Sequence, residues 1–166
     1  VVGIISGIIA YFLNLALIRV SKPKFKISSI ISKEEDGYRI KFINKTLSDI
    51  ENLKMEMFIQ TKHISNSQGD EDYRLREVKL KNTKCSYLAG LIHKDPKLND
   101  NCVQLFIEDD LENIWKDDDK LIFQITAYNR FTGVKAIQRQ ELHCPKESIK
   151  KGKFKSGQTI EIINNL

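Results

Sequence analysis

Four basic side chains follow directly after a long apolar stretch of the sequence. They are Arg19, Lys22, Lys24 and Lys26, and Pro23 restricts the backbone between the two central lysines. Cationic groups at this position lie at the level of lipid phosphates, where each contributes about 1 kcal/mol of attraction to an anionic surface. The pattern predicts a segment that binds anionic lipid headgroups.

The same four charges have a simpler interpretation. Lysine and arginine beside a membrane helix favour the cytoplasmic side, whether or not they bind a particular lipid. Both interpretations place the residues after the apolar stretch in the cytoplasm, and the sequence leaves both open.

Cysteine and histidine side chains give little support for nucleophilic catalysis. The cysteines are odd in number and widely spaced, which is typical of free thiols in a reducing compartment: Cys85, Cys102 and Cys144. His143 and Cys144 directly follow the predicted strand Val134–Leu142, and as neighbours in extended backbone their side chains point to opposite faces. His63 and His93 lie in polar, turn-like sequence and are expected at the surface. We expect no catalytic residue, no cofactor and no enzymatic activity.

Two charged runs later in the chain hold further candidate ligands. The acidic run, residues 108–119, lacks the ligand spacing and the glycine of a calcium-binding loop, so it predicts a solvated rim and no metal site. The basic run, residues 146–155, suits a solvated surface loop better than contact with a membrane or a neighbouring subunit.

The apolar stretch is the first element that positions these groups. Residues 1–18 carry no charge, and an 18-residue helix spans roughly 27 Å, close to the hydrocarbon core of a bilayer. We expect a transmembrane helix over residues 1–20 and a basic juxtamembrane linker over residues 21–26. A secretory signal peptide would have a basic leader and a small-residue cleavage site, which this stretch lacks. A signal anchor and an unusually apolar core helix stay open as alternatives.

One face of the predicted helix has small residues at helical spacing. Gly3 and Gly7 form a Gly-x-x-x-Gly pair, and Asn14 continues along the same face. An amide buried in lipid requires a polar partner, so this face predicts packing against a second helix. Glycines are also frequent in membrane helices, and a single such pair arises by chance.

Net charge does not point to nucleic acid. The chain carries a formal charge of +5, but residues 1–26 hold four basic and no acidic groups, which leaves 23 basic against 22 acidic groups in the remainder. The excess belongs to the membrane flank, and no nucleic-acid-binding motif accompanies it. We expect no nucleic-acid partner.

After Pro23 the sequence changes to short runs in which apolar and polar residues alternate, as on strands with one buried face. Nine runs are predicted strands: Phe25–Ser32, Tyr38–Asn44, Leu53–Thr61, Arg74–Leu80, Ser86–Ile92, Val103–Glu108, Lys120–Tyr128, Val134–Leu142 and Thr159–Ile163. Turns are predicted at residues 35–37, 67–70, 96–101 and 131–133, and a helical turn at residues 109–115. The expected fold class is mainly β, an immunoglobulin-like antiparallel β-sandwich over residues 27–166 preceded by one transmembrane helix.

Four short motifs follow the helix in order. They are the basic proline segment Arg19-Val20-Ser21-Lys22-Pro23-Lys24, the strand entry Asp36-Gly37-Tyr38, the turn Thr132-Gly133 followed by Gln138-Arg139, and the closing series Ile149, Gly152 and Phe154. In order and spacing they resemble the cytoplasmic domain of inward-rectifier potassium channels together with the end of the preceding membrane helix. The resemblance implies a tetramer in which this basic segment binds phosphoinositide-type lipid and transmits the binding to a pore. Lys22 and Lys24 match the family segment best.

Two departures limit the resemblance. Residues 43–47 replace the family's Gly-Asn-Leu-Arg stretch, and the chain contains no selectivity filter of the Thr-Val-Gly-Tyr-Gly type. The sequence therefore predicts a single-pass, membrane-anchored sensor or interaction protein that forms a homo-oligomer, faces anionic lipid and has its β domain in the cytoplasm. Because the family's filter precedes this helix, the alternative is the downstream part of a potassium-channel subunit.

Overall fold

The chain begins with helix α1, Val2–Ser21, in a computed structural model that describes residues 2–64, 71–95 and 98–163. Residues 3–20 of α1 are exposed along their whole length. Over Gly3–Ser21 the mean hydropathy is 1.9, so the helix is long and apolar enough to cross a membrane. It ends shortly before Pro23, whose ring disfavours helical backbone in the preceding residue.

The first sheet is organised around β3, Gly37–Asn44. One side of β3 pairs with β1, Phe25–Ile27, and with β2, Ile31–Glu34, while the other side pairs with β7, Cys102–Ile107. These three pairings are antiparallel. β10, Ile149–Lys151, then adds to β2 in parallel.

The second sheet is organised around β4, Ile50–Ile64. One side of β4 pairs with β8, Lys120–Asn129, and the other side pairs with β5, Glu71–Glu77, and β6, Lys84–Leu88. β9, Lys135–Leu142, pairs with β8. Every pairing in this sheet is antiparallel.

Short elements complete the described part of the chain. They are α2, Leu111–Ile114, α3, Pro145–Ser148, and the small ribbon of β11, Lys153–Phe154, with β12, Ile162–Ile163. α2 lies within the predicted helical turn. The basic run contains α3, β10 and β11, so the expectation of a simple surface loop there was wrong.

Apolar side chains from both sheets form a single core. Burial alternates along β8, where Leu121, Phe123 and Ile125 are buried and their neighbours are partly exposed. Phe42 of the first sheet lies against Phe123 of the second, with ring centroids 6.1 Å apart. The alternation identified from the sequence therefore marks the buried face of β8, whereas residues 40–44 of β3 are buried without alternation.

The first predicted strand, Phe25–Ser32, is two strands. The Ser28 hydroxyl donates to the Ile30 carbonyl and accepts from the Ile30 amide, which forms a local turn between β1 and β2. Among the predicted turns, residues 35–36 and 130–132 adopt turns, residues 98–101 form part of the third, and residues 67–70 lie outside the described residues. Gly37 follows the first turn with a φ of +135°, a value that favours glycine.

The strand register gives the β domain two ends. Asn44 pairs with Phe25 just after α1, whereas β2 and β10 lie beside the opposite end of β3, near Arg39. Five residues of β3 separate these positions, roughly 17 Å at strand rise. We call the end that holds Asn44, the start of β4 and the end of β8 the helix-proximal end.

Lys41 is a buried lysine on β3, with 1% of its surface exposed. Its Nζ donates hydrogen bonds to the carbonyls of Lys155 and Gly157, at 2.6 and 2.7 Å. Burial lowers the pKa of Lys41 below its ordinary value of 10.5, because the charged amine loses hydration. The side chain fastens the segment after β11 to the first sheet.

We expect Lys41 to make the free energy of unfolding vary with pH in the alkaline range. Between its lowered folded pKa and 10.5, the unfolded chain binds more protons than the folded chain, so the free energy of unfolding rises with pH. The free energy of unfolding of the wild type should therefore increase relative to that of Lys41→Met as pH rises toward 10.5. Denaturant unfolding of both proteins across this range measures the difference, and parallel pH profiles would contradict it.

Candidate functional site

The four predicted lipid-binding residues lie at the junction of the helix and the β domain. Arg19 is in the last turn of α1, Lys22 and Lys24 lie between α1 and β1, and Lys26 is on β1. All four are exposed. Phe25 enters the core on the opposite side of the strand from Lys24 and Lys26, so these two lysines project outward.

Asn129, at the end of β8, binds the last residue of α1. Its Nδ2 donates to the Ser21 carbonyl at 2.7 Å and to the Ser48 hydroxyl at 2.6 Å. Its Oδ1 accepts the amides of Phe131 and Thr132 in the β8–β9 turn. Asn129 is buried, with 1% of its surface exposed. One amide side chain thus joins the end of the helix to two loops.

The backbone of Lys24 is held by the loop between β3 and β4. Its amide donates to the Thr46 Oγ1 at 2.9 Å, and its carbonyl accepts the Lys45 amide at 2.8 Å. Thr46 is buried, and its own amide donates to the Asn44 side chain at 2.9 Å. The backbone of Lys24 is therefore fixed while its side chain stays exposed.

Gln138 of β9 fastens the next residue. Its Oε1 accepts the Phe25 amide at 2.9 Å, and its Nε2 donates to the Phe25 carbonyl at 2.6 Å. A side-chain amide here replaces a backbone pairing and joins β1 of the first sheet to β9 of the second. The segment from Ser21 to Phe25 is bonded to both sheets.

Asp49 organises the loops behind this junction. Its Oδ1 accepts the Gly90 amide at 2.9 Å and lies 3.1 Å from the His93 Nδ1. Burial by itself raises the pKa of Asp49, but hydrogen bonds from Gly90, His93 and Tyr87 outweigh it and hold the pKa below its ordinary value. The Asp49 carbonyl also accepts the Arg130 amide.

Lys26 acts electrostatically on a carboxylate of the C-terminal segment. The pKa of Glu161 is held below its ordinary value first by the hydrogen bond from Lys155 and, to a smaller extent, by the charge of Lys26.

The predicted helix-packing residues lie on α1. Gly3, Gly7 and Asn14 are exposed, and a Cβ added at either glycine would meet no neighbouring atom within 4 Å. Residues at positions 3, 7 and 14 recur at helical spacing on one face. The described structure therefore leaves this face open to a second helix.

Sequence reasoning missed the side chains that fix the junction. Asn129, Asp49 and Thr46 were given no functional role from the sequence, whereas His93 was expected at the surface and is exposed, with its ring also 3.1 Å from Asp49. Gln138 was the exception, because it belongs to one of the motifs that carry the family resemblance. Its bonding partner Phe25 is 113 positions away, so no local pattern shows the contact.

In residues 2–64, 71–95 and 98–163, acidic, histidine and cysteine side chains form no group of three suited to a metal ion. No protein-family model and no curated protein matches the chain.

Gly90 permits the close loop packing at the helix-proximal end. A Cβ at this position would lie 2.2 Å from the Ser48 carbonyl carbon and 2.5 Å from the Leu47 oxygen, and backbone atoms do not move aside cheaply. We expect Gly90→Ala to lower the free energy of unfolding by about 3 kcal/mol, the upper range for overpacking.

Gly133→Ala is the control for Gly90→Ala. Gly133 has open space around it but a φ of +66°, so this substitution should cost about 1 kcal/mol from backbone strain alone. Thermal unfolding of the two variants in detergent measures both effects. Equal stability of the two variants would show that the loops at Gly90 are not packed as described.

Proposed function

We propose that the chain is a membrane-anchored sensor or interaction protein, in which anionic lipid bound at the helix junction positions a cytoplasmic β domain. We further propose that this domain is an immunoglobulin-like β-sandwich of the inward-rectifier type. One observation supports the proposal most strongly: the Lys24 backbone is hydrogen-bonded to the β domain while its charged side chain is exposed.

The coupling follows from this arrangement. A lipid phosphate that attracts Lys22 and Lys24 acts on a segment with few free backbone torsions, since Pro23 fixes one and hydrogen bonds hold the residues on either side. Movement of these lysines toward the headgroups therefore moves the loop that contains Thr46. If the β domain exchanges between two orientations relative to the membrane, bound lipid shifts their populations by the difference in its affinity for the two orientations.

The proposed assembly is a homo-oligomer, a tetramer if the channel resemblance holds. Small residues allow close approach of helices in lipid, and the glycine face of α1 is open for that contact. The channel-subunit alternative shares this fold and this lipid site. Determining the coding sequence upstream of Val1 separates the two, because a filter motif there would assign the chain to a channel.

Charge removal at Lys22 and Lys24 tests the lipid site. At about 1 kcal/mol for each charge, Lys22→Gln with Lys24→Gln should weaken binding by about 2 kcal/mol, or roughly thirtyfold. The measurement is a titration of the full chain, in neutral detergent, with a short-chain phosphoinositide. Binding should also weaken with added salt.

The matched control is Lys150→Gln with Lys151→Gln. These exposed lysines lie on β10, which pairs with β2 toward the opposite end of β3. The control removes the same charge at a position far from the junction and should leave binding nearly unchanged. If the two double variants weakened lipid binding equally, the lipid site would be contradicted, and the four basic residues would serve only to orient the helix in the membrane.

Self-association through α1 is tested by enlarging its small residues. Gly3→Leu with Gly7→Leu places two bulky side chains on the face that Asn14 continues, which should prevent close helix contact and lower the oligomer size. Light scattering of the protein in detergent, corrected for bound detergent, measures that size. Ile4→Leu with Ile8→Leu is the control, because it introduces leucine at two other positions of α1 without changing side-chain volume. An unchanged oligomer size in the glycine variant would contradict packing through this face.

A further inference from the structure

Three loops at the helix-proximal end each expose a large apolar side chain. They are Leu47 after β3, Ile92 after β6 and Phe131 in the β8–β9 turn, with 49%, 69% and 67% of their surfaces exposed. A single exposed apolar residue is ordinary on a protein surface, but several on adjoining loops mark an interaction surface.

Backbone and ring contacts join the three loops. The Ile92 amide donates to the Leu47 carbonyl at 3.1 Å, and the Leu91 amide donates to the Thr46 carbonyl at 2.9 Å. The His93 ring lies 6.4 Å from the Phe131 ring, measured between centroids. The three apolar side chains are therefore carried by one connected set of loops.

Two of these loops contact the end of α1 or the residues just after it. Asn129 bonds both Ser21 and the amide of Phe131, and the Thr46 hydroxyl bonds Lys24. Basic groups accompany the apolar ones: Arg130, beside Phe131, is half exposed with its guanidinium 3.9 Å from the Asp49 carboxylate, and Lys45, partly exposed, precedes Leu47 in the sequence. Apolar tips mixed with cationic side chains are the composition that suits the interfacial layer of an anionic bilayer.

We infer that Leu47, Ile92 and Phe131 insert into the membrane interface and form a second point of contact besides α1. The occupant is the bilayer, because the surface is continuous with the point where an apolar, membrane-length helix enters the domain. The contact would hold the β domain against the membrane surface. This inference rests on the proposed membrane anchoring.

Tryptophan quenching by lipid tests the insertion. Phe131→Trp is placed in the full chain, reconstituted in two sets of vesicles of neutral and anionic phospholipid, one brominated near the headgroup end of the acyl chain and the other near its methyl end. The wild type has one tryptophan, the buried Trp115, which supplies the background emission. The additional emission of Phe131→Trp should lie at shorter wavelength than that of a solvent-exposed tryptophan. It should be largely lost in vesicles brominated near the headgroup end.

Two control variants make the result specific. Leu75→Trp substitutes a residue that is 65% exposed, similar to Phe131. Leu75 pairs with Gln60 of β4, and Gln60 is ten residues from Ile50, so Leu75 lies roughly 33 Å from the helix-proximal end. Its emission should not be quenched. Phe12→Trp lies mid-way along α1 and should be quenched by the bromines near the methyl end if the helix spans the bilayer.

The controls also separate the inference from the function on which it rests. Quenching of Phe12→Trp without quenching of Phe131→Trp would overturn loop insertion and leave the anchoring intact. A wavelength shift of Phe131→Trp without quenching would assign the surface to a protein partner or a second copy and overturn the inference. Absence of quenching at Phe12→Trp would overturn both proposals.

Discussion

The bond from the Asn129 amide to the Ser21 carbonyl is the contact on which the arrangement of helix and β domain depends. A helix leaves its last carbonyls without internal partners, and here one of them is satisfied by a buried side chain of another element. Because the same side-chain amide also binds Ser48 and the turn after β8, one residue holds the helix end, the β3–β4 loop and the β8–β9 hairpin.

Because the junction is fixed, movement of the basic segment is transmitted to the β domain. A flexible linker would let Lys22 and Lys24 bind lipid without consequence for the domain, since the chain would absorb any movement. The short segment between α1 and β1 is instead fixed at Ser21, Lys24 and Phe25. In the proposed function, lipid binding therefore acts on the domain, and the exposed apolar tips of the neighbouring loops would hold it near the bilayer surface.

The elements could be predicted from sequence because their causes are local. Uncharged residues gave the helix, and alternation gave the strands that bury Phe123 and Ile125. The junction could not be predicted in the same way. Asn129 and Ser21 are 108 positions apart, and Gln138 bonds Phe25 through backbone atoms that any residue carries. The parallel addition of β10 to β2 likewise joins distant segments, so alternation within either strand does not reveal it.

A distance measurement between α1 and the β domain tests most directly whether the junction is rigid. Spin labels at Leu17 of α1 and Leu75 of β5, in a full chain whose three cysteines are first replaced, report the distance between helix and domain in nanodiscs diluted with unlabelled protein. A fixed junction gives one narrow distance distribution, which should broaden when Asn129→Ala and Gln138→Ala remove the side chains that hold it. A distribution that is already broad before these substitutions, and unchanged by them, would contradict a fixed junction.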